Sequence, residues 1–392
     1  MTTPGDPDQA LRRFSIDCPR LFDGDRMRGP TRLLVEDGYI ASMSGPTGDS
    51  STPVVRLPAD CLLAPGFIDV QVNGGGGVLL NDVPTAFAVR RMVEAHRRHG
   101  TTGMLPTLIT DGADKMAALL AAATDARAVA GVLGFHLEGP HISLARKGIH
   151  PPSHIRPMSA EDRARLAAFG AHGRSQVTLA PECVAPEDVA ALVAAGLRVS
   201  IGHSDADVHT VARAVAAGAT GVTHLYNAMS QLVSRAPGVV GATLADDRLT
   251  AGIICDGLHV DPVALSVAYK AKGRSGLMLV SDAMSSIGAT SDTFQLNGRT
   301  IRLVDGRLTD EAGTLAGAHL GMIEAVRNAV TMMGAPLRDA LIMASTTPAR
   351  FLGLDGERGR IAPGYRADLV AFTSAFEVVE TWIAGAGTPR RT

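Results

Sequence analysis

The sequence contains few cysteines, and none of them form a recognisable pair. The 392 residues include only Cys18, Cys61, Cys183 and Cys255, which lie far apart and show no Cys-x-x-Cys spacing. Neither a disulfide framework nor a thiolate metal site is therefore expected. Cysteine usage of this kind is typical of a reducing compartment, so we expect a cytoplasmic protein.

An excess of one charge and long apolar runs are also absent. The 37 basic and 39 acidic residues leave a formal charge of -2, without a basic stripe of the kind that binds nucleic acid. No segment approaches the ~18 uninterrupted apolar residues of a membrane span, and the polar N-terminus lacks the apolar core of a secretion signal. We therefore expect no nucleic-acid partner and no membrane partner.

The composition that is present indicates a folded enzyme-sized protein. Hydrophobic residues make up 46% of the chain and charged residues 19%, which supplies a large core and excludes a disordered chain. Since 392 residues exceed what one hydrophobic core usually serves, we expect one large domain and a smaller one.

The order of apolar runs indicates where these two domains lie. Residues 31–64 and 356–392 contain short strand-like runs separated by turns, including TRLLVEDGYIASM and GRIAPGYRADLVAFT. From Gly66, eight apolar runs alternate with helical segments, and they are GFIDVQV, TGMLPTL, VLGFHLE, QVTLAPE, LRVSIGH, GVTHLY, TAGIICD and LMLVSDA. This α/β pattern predicts a (β/α)₈ TIM-like barrel over residues 65–355. Residues 1–64 and 356–392 are predicted to form a small β-sandwich domain from both chain termini.

Side chains of metal-binding type occur at the ends of five of these runs. They are Glu138, His203, His224, Asp256, His259 and Asp282. Catalytic groups of barrel enzymes lie at the C-terminal ends of the strands, so we expect these side chains to meet at one mouth of the barrel. Other histidines do not fit this pattern: we interpret His96, His99 and His209 as ordinary helix residues, and His136 as structural support.

Glu138, His203 and His224 supply a carboxylate and two imidazoles from three strands. This set is typical of a catalytic metal site, in which three protein ligands leave a position open for water. Asp282 brings a second carboxylate that could take a proton from the attacking water and return it to a leaving amine. At this point structural roles remain the alternative, because strand-end histidines can bond backbone carbonyls and Asp282 can cap the following turn.

Seven motifs together resemble one enzyme family. The segments PGFIDVQVNGGGG, HLEGPHI, KGIHPP, IGHSDA, THLYNAM, IICDGLHV and LVSDA are similar, in this order, to the N-acetylglucosamine-6-phosphate deacetylases of the amidohydrolase superfamily. The resemblance implies metal-dependent removal of an acetyl group from a phosphorylated amino sugar, with the same three metal ligands and Asp282 as catalytic acid and base. It also implies that His150 polarises the acetyl carbonyl and that His259 contacts the sugar phosphate.

The resemblance further implies a phosphate site and a quaternary structure. Asn227, Ala228 and Arg235 match the phosphate-binding positions of the family, and the family's arginine reaches across from the neighbouring subunit. We therefore expect a homodimer in which Arg235 completes the partner's site.

The first-strand motif predicts the number of metal ions. Gln71 and Asn73 occupy positions where binuclear members of the superfamily carry His-x-His, and carboxamides are weak ligands compared with imidazole. One divalent metal ion per subunit is expected, with zinc preferred and iron(II), cobalt or manganese as alternatives. Gln71 and Asn73 are expected at most to bond ordered water or substrate.

Three other functions are alternatives to this interpretation. A deacetylase of N-acetylgalactosamine-6-phosphate fits the same motifs, because an epimeric hydroxyl is recognised by a few hydrogen bonds that the sequence does not reveal. A cyclic-amide hydrolase fits poorly, since those enzymes commonly carry His-x-His and a bridging lysine. A non-catalytic scaffold would tolerate loss of the ligands, which are intact here.

Overall fold

A computed structural model describes residues 12–45 and 52–388 of the chain. In these described residues, seven strands precede the barrel. They are β1 (Arg13–Cys18), β2 (Arg20–Phe22), β3 (Met27–Arg28), β4 (Thr31–Glu36), β5 (Tyr39–Ser44), β6 (Val54–Arg56) and β7 (Leu62–Pro65).

The next segment alternates strands and helices as the sequence predicts. Its elements are β8 (Phe67–Val72), β9 (Gly74–Gly75), β10 (Val78–Leu79), α1 (Ala86–Arg97), β11 (Thr101–Ile109), α2 (Ala113–Arg127), β12 (His136–Glu138), α3 (Ala160–Ala168), β13 (Gln176–Leu179), α4 (Pro186–Ala194), β14 (Arg198–Ile201), α5 (Val208–Ala216), β15 (Gly221–Val222), α6 (Gly238–Ala245), β16 (Thr250–Ile254), α7 (Pro262–Gly276) and β17 (Leu277–Val280). Within the part of the chain that the structure describes, every helix is too short or too polar to span a membrane.

Eight of these strands form one parallel sheet in the order β17-β16-β15-β14-β13-β12-β11-β8. The first strand, β8, and the last, β17, meet and close the barrel. Val72 bridges to Ala283, and the Asp282 N–H donates to the Gln71 carbonyl oxygen at 3.0 Å. The strands read as nearly continuous apolar runs because helices and core side chains cover both faces of a parallel sheet. The predicted TIM-like barrel and the positions of its eight strands are confirmed.

A four-stranded antiparallel sheet after the barrel strands was not predicted. It contains β18 (Thr293–Leu296), β19 (Arg299–Val304), β20 (Arg307–Thr309) and β21 (Leu315–Ala318). Its two tight turns are Asn297-Gly298, with φ of 50° and 75°, and Asp305-Gly306, with φ of 51° and 77°. Paired positive φ values are the requirement of type I′ hairpin turns, so Asn-Gly and Asp-Gly were the signal in the sequence.

The chain ends with three helices and three strands in the described residues. They are α8 (Met322–Thr331), α9 (Leu337–Ala344), α10 (Thr346–Phe351), β22 (Leu369–Phe372), β23 (Val378–Ile383) and β24 (Ala386–Gly387).

Strands from both ends of the chain build two packed sheets. One sheet has the order β5-β4-β1-β6, and the other has the order β24-β23-β22-β7-β2-β3. Ile16 and Leu33 of the first sheet share an apolar cluster with Leu63, Leu369 and Trp382 of the second. This is the arrangement of a small sandwich built from both termini. The domain boundaries at residues 64 and 356 stay a prediction, and residues 1–11, 46–51 and 389–392 of the predicted sandwich lie outside the described residues.

The six-stranded sheet also attaches the sandwich to the barrel. Leu62, Val370 and Phe372 alternate along their strands with the sandwich-facing residues and join the main core of the barrel. Successive side chains of a strand point to opposite faces, so this sheet is buried on both sides.

His96 is a buried, neutral residue of α1 and gives a testable pH dependence. Its Nε2 donates to the Gly74 carbonyl oxygen at 2.8 Å, and burial lowers its pKa from 6.5 to about 4. Between pH 6.5 and about pH 4, the imidazole is therefore protonated in the unfolded chain but neutral in the folded chain. The free energy of unfolding falls as the pH falls through this range. Protonation of His96 in the unfolded chain should lower the free energy of unfolding by up to about 3 kcal/mol at pH 4.

Denaturant unfolding of the wild type and of His96→Gln at neutral pH and near pH 5 tests this expectation. Glutamine keeps an N–H donor for Gly74 but does not titrate, so the acid loss of unfolding free energy should be smaller in the variant. An equal loss in both proteins would show that His96 does not carry the effect.

Candidate active site

Three predicted site residues end barrel strands in an unusual backbone conformation. The φ values are 51° for His203, 32° for His224 and 49° for Asp282. Non-glycine residues in this region store roughly 1–3 kcal/mol of strain each, which persists only where the surroundings impose it. The backbone thus turns these three side chains toward the centre of the barrel mouth, where Glu138 also ends its strand.

The donor atoms of Glu138, His203 and His224 converge on one point. His224 Nε2 lies 3.1 Å from Glu138 Oε1 and 3.1 Å from His203 Nε2, and His203 Nε2 lies 3.3 Å from Glu138 Oε1. Two imidazole nitrogens and a carboxylate oxygen at such separations are placed so that they could bind one cation together. Ligand atoms about 2.0–2.1 Å from a tetrahedral metal ion lie about 3.3 Å from one another, so the donor set fits a divalent metal.

Hydrogen bonds and charge favour this role for the three side chains. The His203 Nδ1–H donates to the Arg146 carbonyl oxygen at 2.9 Å, which leaves the Nε2 lone pair for a metal and holds the ring in place. Burial opposes ionisation of Glu138, but the imidazoles of His203 and His224 hold the pKa of its carboxyl well below the ordinary value. His224 Nδ1 is buried and has no partner among the described residues.

His150 lies beside the cluster of Glu138, His203 and His224. Its ring centroid is 4.2 Å from that of His203, and donor atoms of Glu138, His150 and His203 lie within 4.8 Å of one another. His224 approaches Glu138 and His203 more closely than this, at 3.1 Å to each. We therefore treat His224 as the third candidate ligand, and His150 as a neighbouring group whose Nδ1 bonds Thr110 Oγ1 at 2.7 Å.

Asp282 is held by the two carboxamides of the first strand. Gln71 Nε2 donates to Asp282 Oδ1 at 3.0 Å and Asn73 Nδ2 donates to the same oxygen at 2.7 Å. Gln71 Nε2 also lies 3.2 Å from Glu138 Oε1. The expectation that Gln71 and Asn73 bond at most water or substrate was wrong, because barrel closure places β8 directly beside the end of β17.

The environment of Asp282 suits a group that both takes and gives a proton. Burial, followed by the nearby charge of Glu138, raises the pKa of Asp282 to about 6. Both carboxamide bonds go to Oδ1, and no described residue donates to Oδ2, so Oδ2 is the oxygen available for proton transfer. A carboxyl with a pKa near the working pH is an efficient general acid and base.

A cavity of about 500 Å³ connects most of the predicted site residues. Its lining includes Glu138, His150, His203, His224, Asn227, Ala228, His259 and Asp282. The backbone after β15, which borders the cavity at Asn227 and Ala228, is also strained, since φ is 79° at Tyr226 and 48° at Ala228. A cavity of this volume with a few convergent polar groups suits a small polar ligand.

Arg235 is the predicted site residue that the fold does not bring to this cavity. It lines a separate cavity of about 550 Å³ with Asp207 and Pro237, and among the described residues only Arg146 borders both cavities. The residues before it, Leu232 and Val233, are 54% and 59% exposed. Within its own chain, Arg235 therefore contacts neither the donor cluster nor Asp282.

Two contributors to the site, Thr110 and Thr314, were not identified from the sequence, and Asp256 was predicted at the barrel mouth but without a partner. Thr110 bonds His150, Asp256 bonds His259 through Oδ2 and Nδ1 at 2.6 Å, and Thr314 lines the cavity from the unpredicted four-stranded sheet. Only Asp256 carried a signal, its position after a barrel strand. Partners such as Thr110 depend on contacts between distant strands, which periodicity does not encode.

The remaining histidines have ordinary structural partners. His136 bonds Thr178 Oγ1 through Nε2 at 2.7 Å and Thr107 Oγ1 through Nδ1 at 3.3 Å. His99 Nδ1 lies 3.2 Å from the carboxylate of Glu324. Both arrangements agree with the interpretation of these residues as structural.

Comparison with known proteins places the chain in a family. A sequence profile of the amidohydrolase family matches residues 62–386. The chain is 46% identical over 360 residues to the N-acetylgalactosamine-6-phosphate deacetylase of Shewanella sp. strain ANA-3, covering 90% of each protein. It is 37% identical over 382 residues to the N-acetylglucosamine-6-phosphate deacetylase of Homo sapiens, covering 92% of this chain and 89% of the human protein.

A solved structure agrees with these sequence relatives. The crystal structure of N-acetylglucosamine-6-phosphate deacetylase from Pasteurella multocida superposes with a TM-score of 0.93 at 34% identity, covering 96% of this chain and all of that chain. The superposition therefore extends over almost the whole chain. The chain belongs to the amidohydrolase family, and within it to the group of the amino-sugar-6-phosphate deacetylases.

Proposed function

We propose that the protein hydrolyses N-acetylglucosamine-6-phosphate to glucosamine-6-phosphate and acetate. The observation that carries this proposal is the single cavity that holds both the converging donors of Glu138, His203 and His224 and the carboxylate of Asp282. Metal ligands and a proton-transfer group within one cavity are what hydrolysis of an unreactive acetamide needs.

The described side chains have distinct tasks in this reaction. A divalent ion held by Glu138, His203 and His224 supplies, when bound, Lewis-acid polarisation and a more acidic water at neutral pH. Asp282 Oδ2 accepts the proton of the attacking water as its oxygen adds to the acetyl carbon. Gln71 and Asn73 fix the carboxylate through Oδ1 and so aim Oδ2 at the reacting atoms.

Collapse of the tetrahedral intermediate requires a proton for the sugar nitrogen. Asp282, protonated in the first step, returns this proton as the carbon–nitrogen bond breaks, which makes the amine a viable leaving group. The Thr110 hydroxyl has two acceptors within reach, the Glu138 carbonyl oxygen at 3.2 Å and His150 Nδ1 at 2.7 Å. When it donates to His150 Nδ1, the hydrogen of the imidazole lies on Nε2 and can bond the acetyl oxygen. This donor stabilises the negative charge that develops on that oxygen.

Acetate release tests the proposed function and its alternative. The substrates are N-acetylglucosamine-6-phosphate, its galacto epimer and unphosphorylated N-acetylglucosamine. We expect the highest kcat/KM with the first. A preference for the galacto epimer would instead support the alternative, which the 46% identical Shewanella relative favours. Absence of acetate from all three compounds would contradict a deacetylase.

The metal content gives a further test. We expect one divalent ion per chain, with zinc preferred over iron(II), cobalt or manganese, because the carboxamides of Gln71 and Asn73 are weak ligands compared with the imidazoles of a binuclear site. Elemental analysis after dialysis against metal-free buffer should give close to one equivalent. Two tightly held equivalents would contradict the single site.

The position of Arg235 supports a homodimer. The guanidinium lies outside the active-site cavity of its own chain, beside the exposed apolar side chains of Leu232 and Val233. In the proposed dimer this loop packs on the second copy, and Arg235 completes a phosphate site with Asn227 and Ala228 of that copy. Arginine suits this task because its planar fork binds phosphate through two parallel hydrogen bonds.

We expect Arg235→Ala to raise KM for the phosphorylated substrate by about 10-fold or more, since a charge-assisted bidentate contact is lost. The KM of Arg235→Lys should lie between the values for Arg235→Ala and the wild type, because lysine keeps the positive charge but not the planar pair of donors. Unphosphorylated N-acetylglucosamine is the control substrate and should be affected little. Equal losses on both substrates would exclude a phosphate role.

A mixing experiment tests the contribution across the interface. Neither Arg235→Ala nor Asp282→Asn should be efficient alone, but a mixed dimer contains one site with Asp282 and the partner's intact arginine. Exchange of subunits at equal concentration should restore about a quarter of the wild-type rate. No recovery after verified exchange would place Arg235 outside the partner's site.

A cytoplasmic location is proposed as well. All four cysteines are free, and three of them are buried, which is typical of proteins from a reducing compartment.

A further inference from the structure

A second polar cavity lies at the floor of the barrel, on the side away from the active site. Its volume is about 540 Å³, and its lining runs from the β2–β3 hairpin of the sandwich to Ser275, just before β17. β17 leads from this cavity toward the barrel mouth and Asp282, and its four residues span about 13 Å. A ligand in this cavity would therefore lie well away from the groups that react with the acetamide.

The cavity carries an excess of positive charge. The guanidiniums of Arg274, Arg350 and Arg360 line it, whereas Asp25 supplies the one carboxylate of its lining among the described residues. That carboxylate is already neutralised, because Arg338 Nη2 lies 2.9 Å from Asp25 Oδ1. The three lining arginines therefore face the cavity without a matching negative charge inside it.

The contacts of the three guanidiniums leave donors free for a ligand. Arg274 Nη1 lies 3.4 Å from Asp339 Oδ1, which is a loose ion pair. Arg350 Nη2 donates to the neutral carbonyl oxygen of Ser275 at 2.7 Å. The Arg360 side chain has no hydrogen-bond or ion-pair partner within residues 12–45 and 52–388. Since a guanidinium carries five N–H donors, Arg350 and Arg360 keep most of theirs, and both keep an unpaired charge.

The backbone around the cavity is held in place by the fold. Thr346 Oγ1 lies 3.1 Å from the Gly24 carbonyl oxygen and 2.9 Å from that of Gly359. Gly24 has a φ of 97°, and a Cβ at this position would lie 2.9 Å from Arg360 Cγ. The sandwich hairpin and the segment that carries Arg360 thus approach each other closely. Because the walls are already formed, a ligand does not have to order them when it binds.

We propose that this cavity binds a small molecule through a phosphate group that is held by Arg274, Arg350 and Arg360. A phosphate monoester presents three terminal oxygens in different directions, which suits three guanidiniums better than the two coplanar oxygens of a carboxylate. The volume leaves room for an attached group, since small-molecule cavities measure about 300–1,000 Å³. The inference is independent of the proposed function, because the two cavities share no lining residue among those described.

Calorimetric titration of the full-length protein with inorganic phosphate tests the site. The double variant Arg350→Gln/Arg360→Gln should raise the Kd of this site by about 10-fold or more, since two charge-assisted contacts are lost. The corresponding double lysine variant should bind with intermediate affinity, because it keeps the charges without the planar donors. All titrations contain 0.15 M sodium chloride, which screens weak attraction to exposed charges.

Arg90→Gln/Arg98→Gln is the matched control. Both arginines are exposed, on α1 and directly after it, and lie outside the cavity lining. The control removes the same two charges and should bind phosphate like the wild type. Equal affinity of the wild type, the control and Arg350→Gln/Arg360→Gln would overturn the proposal.

Glucose-6-phosphate and adenosine monophosphate distinguish the two sources of such a phosphate group. Tighter binding of the first than of inorganic phosphate would identify the ligand as a sugar phosphate, and tighter binding of the second would identify it as a nucleotide. In either case Arg350→Gln/Arg360→Gln should lose the added affinity. Retention of that affinity in the double variant would place the ligand elsewhere and contradict the proposal.

Tungstate, a tetrahedral oxyanion with strong anomalous scattering, locates the site without any activity measurement. Crystals of the wild type soaked in tungstate should show a peak within hydrogen-bond distance of the Arg350 and Arg360 guanidiniums, and the double glutamine variant should lack it. A peak in the active-site cavity alone would overturn the proposal. If the wild type releases no acetate, the proposed function fails, while titration and tungstate still decide whether the floor of the barrel binds phosphate.

Discussion

Replacement of Asp282 by asparagine should lower the rate of acetate release by about 10²- to 10⁴-fold while the protein stays folded and keeps its metal. Asparagine tolerates the left-handed backbone at this position, where φ is 49°. Its amide oxygen can accept the same hydrogen bonds from Gln71 and Asn73 that Oδ1 accepts now. The amide nitrogen then replaces Oδ2 and cannot take a proton from water.

Asp305→Asn is the matched control for this replacement. Asp305 is exposed, lies in a hairpin turn with a φ of 51° and is not part of the cavity lining. The control should release acetate at the wild-type rate, which separates the chemistry of Asp282 from the effect of asparagine on a strained backbone. Metal content and the thermal midpoint are measured on both variants. An Asp282→Asn enzyme with more than a tenth of the wild-type rate would remove Asp282 from proton transfer.

The second large effect concerns two of the proposed metal ligands, His203 and His224. His203→Asn and His224→Asn should each bind the metal about 100-fold more weakly or worse, because one of three protein donors is lost. Asparagine again suits the backbone, since φ is 51° at His203 and 32° at His224. The purified variants should contain little metal and show acetate release near background. A large excess of metal should restore part of the rate, which distinguishes loss of affinity from loss of the fold.

His209→Asn provides the control for these two variants. His209 is an exposed residue of α5 and should keep both metal and activity when it is replaced. Full metal occupancy in His203→Asn or His224→Asn after dialysis would show that the ion is held elsewhere. If only His224→Asn keeps its metal, the group formed by Glu138, His150 and His203 is the alternative site, and His150→Asn is then the variant that should lose metal.

The barrel could be predicted from the sequence because its signals are local. Each strand is a buried apolar run, and the strands of a parallel barrel end at one mouth, so the positions of Glu138, His203 and Asp282 follow from their place after a run. The hairpins after β17 also carried a local signal in Asn297-Gly298 and Asp305-Gly306. They were missed because the alternation of strands and helices ended there.

Other parts of the site depend on distances that no local pattern records. Gln71 contacts Asp282 only because the first and last strands of the barrel meet, 211 positions apart in sequence. Thr110 and His150 meet across a shorter separation of 40 positions. The position of Arg235 outside the active-site cavity of its own chain is set by the folding of the loop that carries it. Side-chain pairs of this kind follow from barrel closure and loop packing rather than from residue type.

The shared six-stranded sheet has a consequence for the newly made chain. β7 pairs with β22 in antiparallel register, so Leu62 lies opposite Phe372, a residue 310 positions later. At ordinary rates of synthesis the ribosome needs about 15 to 60 s to add such a length. During this time β7 has no neighbour on one side, and its residues on both faces are apolar.

An unpaired strand edge with two apolar faces is a template for association with other chains. The barrel can begin to fold as it emerges, but the sandwich cannot close until the last strands leave the ribosome. A ribosome that stalls before Leu369 therefore releases a chain with a nearly complete barrel and an open edge at β7. Such nascent chains should be prominent clients of chaperones that bind exposed apolar strands.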